Sequence, residues 1–598
     1  MTWFAVAFAA VAAPPPAAAD ATATEIERLV AALGDDDYAV RETAAARLQE
    51  LGPRSADALL TAAETSGDLE VALRARWLAD AIPPTSPQDP PRVTAELQGY
   101  GRADVATKFA IMRRLLRLEG DAGIEPLARL VRLDRSPVAA RMAAALLVRE
   151  WRPGDPFWPQ LRPAIRAGLQ ESGRPAARFL RAVVAAGEAT DPAAAGQAAT
   201  AAADALSLLE RAGADRAGED PDAVESAATT LWIFRRCLID LQLAAGRRRE
   251  AVEGVRQMLT SGWRAAADDR DDVTAANLIW AVEHGLPEAV DLLEARWPAL
   301  AIDQPATAYA AAVALAARGD KERAERLATT AFKAGDGPAA GGFTARLRAG
   351  ILLAKWGAVE WARREYRALL DDPQAPDGEF ALGGILCSEF LHDLGHDDEA
   401  ADVLRRVVDG REGGVAAAEA MLRQLDRDPD AIRARAAFFA SCAAAARGDA
   451  AGRRRLVDEA VRHHGRDVDA LIALYEATAG DPRARADALA RVERALEKID
   501  EEIANEPDEA NGYNEYAWLV ANTEGDVAKA IRYSKQSLEM AFDNSSYLDT
   551  LAHCLSAAGD HAAAVRTQSI AHRLEPHNRT ILRNLERFRG RAAVAPRP

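Results

Sequence analysis

Residues 513–576 read YNEYAWLVANTEGDVAKAIRYSKQSLEMAFDNSSYLDTLAHCLSAAGDHAAAVRTQSIAHRLEP, and the stretch repeats itself. Gly525-Asp526 returns as Gly559-Asp560 after 34 residues, Ala530 returns as Ala564, Ile531 as Val565, and Tyr516 is answered by Thr550. A helix, a Gly-Asp turn and a second helix at this period predict a stack of helix hairpins. Glycine adopts, at low cost, the left-handed backbone that ends a helix. An alanine five residues further on lets the second helix cross closely against the first.

The same punctuation recurs upstream in blurred form. Gly246, Gly285, Gly319, Gly357, Gly395, Gly448 and Gly480 each follow an apolar helical run. Ala251, Ala324, Ala362 and Ala400 stand five residues beyond their glycines, while Val290, Arg453 and Arg485 hold that slot in the others. The intervals between successive glycines range from 32 to 53 residues.

On these residues the chain resembles the tetratricopeptide family, clearly over 506–590 and in degenerate form over 226–482. The resemblance implies an all-α fold, an α-solenoid of stacked helix hairpins, whose first helices line a groove for an extended peptide or a partner helix. By matched position it implies Glu515, Leu519 and Asn522, with Asp549, His553 and Ser556, as the peptide-groove residues. The basic carboxylate-clamp pattern of some members is missing from these helices, so a basic or uncharged ligand is expected. One position departs from the family: Trp518 stands where a small residue usually does, whereas its counterpart Ala552 conforms. Either that helix is shifted by one residue or Trp518 packs toward the preceding long helix.

Residues 24–82 have a different character. Leu29 and Leu33, the acidic turn Asp35-Asp36-Asp37, Val40-Arg41, Ala44-Ala45, Leu48 and Gly52 resemble a HEAT-type repeat, with aspartate as the helix cap. HEAT-like hairpins are expected over 22–186, with a proline-rich break at 83–91 and an irregular Trp151–Pro163. The alanine-rich 187–225 reads as a boundary or a poorly packed helix, 483–505 as a long connecting helix, Thr580–Phe588 as a cap and 591–598 as a disordered tail.

Composition agrees with helices. Apolar residues, many of them alanine, make up 49% of the 598 residues, and aromatics only 6%. A net charge of −17 argues against nucleic acid, which calls for a basic face. The apolar run from Thr2 to Ala13, then prolines and Ala17-Ala18-Ala19, resembles a secretory signal peptide over 1–19, although no Lys or Arg follows Met1. The expected location is therefore periplasmic or extracellular, and cytoplasmic if this leader does not act as a signal. No later segment holds 18 uninterrupted apolar residues, so no integral membrane segment is expected. Cys237, Cys387, Cys442 and Cys554 lie in apolar helical runs and suggest small core residues rather than a disulfide framework.

Catalytic signals are missing. His392-Asp-Leu-Gly-His396-Asp-Asp-Glu399 is the densest set of metal-ligand types, but Gly395 is expected to end the helix between the histidines. There is no phosphate loop, HExxH or GxSxG. The expectation is a non-enzymatic, monomeric scaffold without cofactor or metal that binds a protein or peptide. A cell-envelope accessory protein that binds a wall polymer or regulates an envelope enzyme is the alternative; wall-polymer binding would need Trp263, Trp297, Trp356 and Trp361 exposed in a row.

Overall fold

The computed structural model describes residues 16–79, 82, 85–150, 157–214, 221–260, 270–296, 304–335, 342–411, 414–478 and 481–594. Every regular element among the described residues is helical, and the chain is a series of stacked helix hairpins. It divides into two compact units, Met1–Gly254 and Val255–Pro598.

The first unit holds α1 (Pro16–Ala31), α2 (Tyr38–Leu51), α3 (Ala56–Thr65), α4 (Leu69–Ala79), α5 (Pro91–Glu96), α6 (Val105–Leu116), α7 (Ile124–Leu133), α8 (Pro137–Arg149), α9 (Trp158–Leu169), α10 (Pro175–Ala186), α11 (Pro192–Ala214) and α12 (Pro221–Ala244). The acidic turn caps α2 as expected, with the Asp37 side chain accepting from the Ala39 N–H at 2.8 Å. Arg41 closes the same turn by donating to the carbonyls of Asp35 and Asp36 at 2.7 and 3.0 Å. Deeper in the unit, buried Arg174 donates to the carbonyls of Arg132 and Asp134 at 2.9 and 2.8 Å and pairs with Glu64. A cation on the last carbonyls of α7 satisfies groups that the helix leaves orphaned.

In the second unit most of the described hairpins turn at a glycine. Its elements are the end of α13 (Arg248–Thr260), α14 (Arg270–Glu283), a 3-10 stretch (Pro287–Arg296), α15 (Pro305–Ala317), α16 (Lys321–Ala334), α17 (Gly342–Lys355), α18 (Val359–Asp371), α19 (Asp377–Asp393), α20 (Asp397–Asp409), α21 (Gly414–Gln424), α22 (Pro429–Ala446), α23 (Ala450–His463), α24 (Val468–Glu476), α25 (Pro482–Asn505), α26 (Ala510–Asn522), α27 (Val527–Met540), α28 (Ser545–Ala557), α29 (His561–Leu574) and α30 (Arg579–Val594). Gly285, Gly319, Gly357, Gly395, Gly448 and Gly559 have φ between 71° and 88°. In each case the following N–H reaches back to a carbonyl near the end of the first helix, for example Asp560 to Leu555 at 3.0 Å and Asp449 to Ala444 at 2.9 Å. This is the six-to-one bond that closes a helix on a left-handed residue. The aspartate then caps the next helix: Asp320, Asp449, Asp526 and Asp560 accept from the N–H three residues on. Ala324, Ala362, Ala400, Ala530 and Ala564 are all buried at the crossing.

The irregular glycine spacings have simple causes. An extra helix, α21, lies between the second helix that follows Gly395 and the first helix that ends at Gly448. The 24-residue α25 lengthens the interval before Gly525, and buries Ala488, Val492, Ala495, Ile499 and Ile503 on one stripe. Gly480 lies outside the described residues.

Three expectations need correction. The alanine-rich 187–225 is not the boundary: α11 packs with Ala198, Ala199, Ala202 and Ala205 buried, and the chain divides inside α13 instead. Alanine needs little room, so this run packs closely against α10 and α12 rather than loosening the fold. Trp151–Pro163 is not irregular throughout, because α9 starts at Trp158 and carries Pro163 inside it, held by buried Trp158, Leu161 and Ile165. The cap is longer than Thr580–Phe588, and residues 591–594 of the expected tail are helical, while 595–598 lie outside the described residues. Most of the leader, residues 1–15, also lies outside them. The cysteines are free, Cys442 half-buried and the others buried.

Candidate functional site

The face of interest runs along the first helices of the C-terminal hairpins, and its register is set by one turn. α26 ends at Asn522 and its successor is capped by Asp526, whereas α28 ends at Ala557 and its successor is capped by Asp560. The turn after α26 is therefore one residue longer, and Gly525 has φ 154° rather than the usual value. Second helices match at 34 residues but first helices match at 35. Buried Tyr513, Tyr516 and Ala517 accordingly answer to buried Leu548, Leu551 and Ala552. Ala517 fills the small-residue slot, and Trp518 is the counterpart of His553.

This shift corrects the groove set. Leu519 matches Cys554, and both are fully buried in the core rather than facing a ligand. Glu515 matches Thr550; it is half-buried, takes a hydrogen bond from Asn511 at 2.8 Å and lies 3.8 Å from Arg466. Burial, the main cause, raises its carboxyl above the ordinary value. Asn522 is half-buried and gives its amide N–H to the Trp518 carbonyl at 2.9 Å. Asp549, His553 and Ser556 do share one face of α28, but α30 covers it. Asp549 accepts from Asn584 at 2.9 Å and from Gln568 at 2.5 Å, and Ser556 accepts from Arg591 at 3.0 Å. The capping helix takes the place of the next first helix, so these groups are satisfied within the chain and none of the three is open to a ligand.

What the shifted register produces is a chain of side chains across five first helices and the cap. His392 on α19 donates from Nδ1 to the Asp397 carboxylate at 2.5 Å, and its ring stacks on that of Phe439 at 4.4 Å. Arg435 on α22 lies over Phe439, makes two bonds to Glu389 at 2.8 and 2.9 Å, and reaches Asp469 on α24. Trp518 donates its indole N–H to Asp469 at 2.8 Å and its ring lies 4.6 Å from that of His553. His553 in turn bonds Asn522 at Nδ1 and Arg587 at Nε2, both at 2.8 Å. Arginine can only donate, so Nε2 is the acceptor and the imidazole is neutral, with its proton on Nδ1. Burial first, then Arg587 and Arg591, push His553 down to about 3. Burial opposes the charge on Asp469, but Arg435 and the Trp518 N–H hold it below the ordinary carboxylate value.

Away from the cap the face opens. Six residues before its glycine, each first helix carries the position of His553: Val313, Ile351, Glu389 and Cys442 in turn. Ile351 on α17 and Leu382 on α19 are exposed large apolar residues, and Arg348 and Lys355 lie on the same helix as Ile351. Asp393, at the end of α19, has no hydrogen-bond or ion-pair partner among the described residues. Burial, reinforced by Glu389 and Glu575, raises its carboxyl to about 6 against the opposing effects of His392 and Arg435.

Glu575 reaches this place because the turn between α29 and α30 lies over the ends of earlier first helices. The His577 ring rests on Gly357, where an added Cβ would stand 2.6 Å from it, and Nε2 lies 3.9 Å from Glu283. Gly357 is thus constrained twice, by its φ of 71° and by its neighbour.

Among the described residues no group of three or more His, Cys, Asp or Glu is gathered for a metal, and no helix is long and apolar enough to cross a membrane. Gly395, at φ 79°, does separate His392 from His396, which pairs with Glu399 at 3.5 Å. Trp356 is buried and Trp361 is half-buried, donating to Glu325 at 2.8 Å; Trp263 and Trp297 lie outside the described residues.

No protein-family profile and no curated protein matches the chain. Solved structures with similarity include the TPR2AB-domain:pHSP90-complex of yeast Sti1, at 15% identity over 42% of this chain and 98% of that one, with a TM-score of 0.17. The APC/C hetero-tetramer Cut9-Hcn1 matches at 12% over 70% and 91%, with a TM-score of 0.18. Naa15/Naa10 bound to HypK-THB matches at 17% over 77% and 68%, with a TM-score of 0.19. At such scores the superposition carries no argument, and the repeat assignment rests on the chain's own hairpins and capped turns.

Two measurements check the geometry. His553 has its pKa depressed in the fold, so the unfolded chain binds the extra proton between about 6.5 and about 3, and acid costs stability across that window. Wild type should lose up to ~1.4 kcal/mol per pH unit relative to His553→Gln there, read from paired thermal melts; Asp549, raised by burial, works in the opposite direction in both proteins. Secondly, Gly357→Ala should cost more stability than Gly395→Ala. Both carry the ~1–2 kcal/mol penalty of a left-handed alanine, but only the first meets His577.

Proposed function

We propose that the chain is an exported repeat scaffold that binds a protein or peptide partner on the open first-helix face of the second unit and performs no catalysis. Asp393 carries this reading: a half-buried carboxyl that makes no hydrogen bond or ion pair among the described residues, at the end of the helix that also carries exposed Leu382, with exposed Ile351 on the first helix of the preceding hairpin. Desolvating a carboxyl that forms no hydrogen bond or ion pair is unfavourable, and a ligand cation relieves it. Exposed Leu382 and Ile351, on this first helix and the one before it, give the ligand an apolar anchor. The partner is therefore a segment that carries both a basic and an apolar side chain. The signal-like leader over 1–19 supports export. Buried Trp356 and the Trp361 indole N–H held by Glu325 weigh against the wall-polymer alternative.

Affinity purification from the native cell with wild type and with Asp393→Lys, Ile351→Asp tests the site. Recovery of the specific partner should fall at least about tenfold, and binding by wild type should weaken as pH drops below about 6, where Asp393 takes up its proton. Undiminished recovery by a variant with the wild-type melting curve rejects the site. For export, residues 1–30 fused to a reporter active only outside the cytoplasm should give signal; a silent reporter rejects that part.

A further inference from the structure

Glu575, Pro576, His577 and Asn578 form the corner between α29 and α30, and this corner closes over the ends of much earlier helices. The His577 ring lies against Gly357, just beyond α17, and its Nε2 is 3.9 Å from Glu283, the last residue of α14. Asp393 is the last residue of α19. Each of these is the end of a first helix at its glycine turn, so the corner crosses the edge of the face to which Asp393 belongs. Asn578 fixes the corner. Its Oδ1 accepts from the Thr580 and Ile581 N–H at 3.0 and 3.1 Å and so caps α30, while its amide donates to Glu575 Oε2 at 3.1 Å. Glu575 is therefore a carboxylate of set direction, and it makes no ion pair among the described residues.

Closure gathers carboxylates without placing a cation between them. Glu575 acts on Asp393 in the same direction as Glu389, and both raise its carboxyl. The cations nearby are engaged elsewhere, Arg435 with Glu389 and Asp469, and His392 with Asp397. Like charges brought close are unfavourable until a counter-charge joins them. A basic group that both carboxylates can reach is therefore favoured over one that meets Asp393 alone. A guanidinium suits such a place, because its planar fork carries five donors and can serve two carboxylates, whereas an ammonium is a compact point charge. We propose that the corner is the second wall of the Asp393 site, and that Glu575 holds the same ligand arginine as Asp393 does. This rests on the reading of Asp393 as a binding group. His577 is a positioning residue, since it touches Gly357 and Glu283 and sets where the corner closes.

Two measurements on the full chain test the proposal, one without ligand and one with it. The carboxyl carbon signal of Asp393, assigned by its loss in Asp393→Asn, is titrated in the free protein. Its midpoint, about 6 in wild type, should fall in Glu575→Gln, which removes a like charge at unchanged shape. It should fall also in His577→Ala, which frees the corner from Gly357. An unchanged midpoint in Glu575→Gln overturns the second wall. The ligand arm uses an acetylated, amidated peptide with arginine and leucine four residues apart, and a control with citrulline, the neutral analogue, in place of arginine. By fluorescence anisotropy wild type should bind the arginine peptide at least about tenfold more tightly than the control. Asp393→Asn should abolish that preference, and Glu575→Gln should cut it at least about threefold. A preference that needs Asp393 but is undiminished in Glu575→Gln overturns the second wall and leaves the Asp393 reading standing. Equal affinity of wild type for both peptides overturns both. A lysine peptide should bind more weakly than the arginine peptide, and equal binding overturns the choice of guanidinium.

Discussion

The glycine that ends most of the described first helices is the constraint on which the second unit depends. A helix must stop within one residue of the right place if its successor is to fold back on it with an alanine at the crossing. Glycine at positive φ provides the stop, and the six-to-one backbone bond fixes the direction of exit. Where aspartate follows, its carboxylate caps the second helix in the same two residues. Two residues thus satisfy orphan carbonyls at one helix end and an orphan N–H at the next.

Because the turn meters the chain so tightly, a single residue has large consequences. The longer turn after α26 rotates that helix by one position relative to α28. Trp518 is thereby moved out of the hairpin seam and onto the face shared by successive first helices, where it bridges Asp469 and His553. Without that shift the indole would stand at the helix crossing, where only a small residue fits. The same rotation takes Leu519 into the core. The cap then completes the pattern, since α30 supplies Asn584, Arg587 and Arg591 to polar groups that would otherwise line an open groove.

The repeat was readable because its markers are local: glycine, the aspartate after it and the alanine five residues on all act within one turn. The expected groove set follows from carrying the 34-residue period through the first helices. That failed because periodicity in the second helix does not bind the first when the turn between them changes length. The alanine-rich 187–225 misled for another reason. Small side chains give a weak apolar signal in sequence yet pack closely, so a well-buried α11 resembles a linker. Asp393 was within reach in the His392–Glu399 cluster, but nothing local distinguishes it from the first-turn acids of α20 that follow.

Sequence by itself determined that this chain is all-α, that it is built of helix hairpins, and where most of the hairpins turn, since those are properties of a few adjacent residues. Only the tertiary structure decided which side chains face outward. That depends on the count of residues in one turn, on whether a cap lies over the final face, and on how a distant turn meets Gly357. Each of these brings together residues far apart in the chain, and no pattern of neighbours records such contacts.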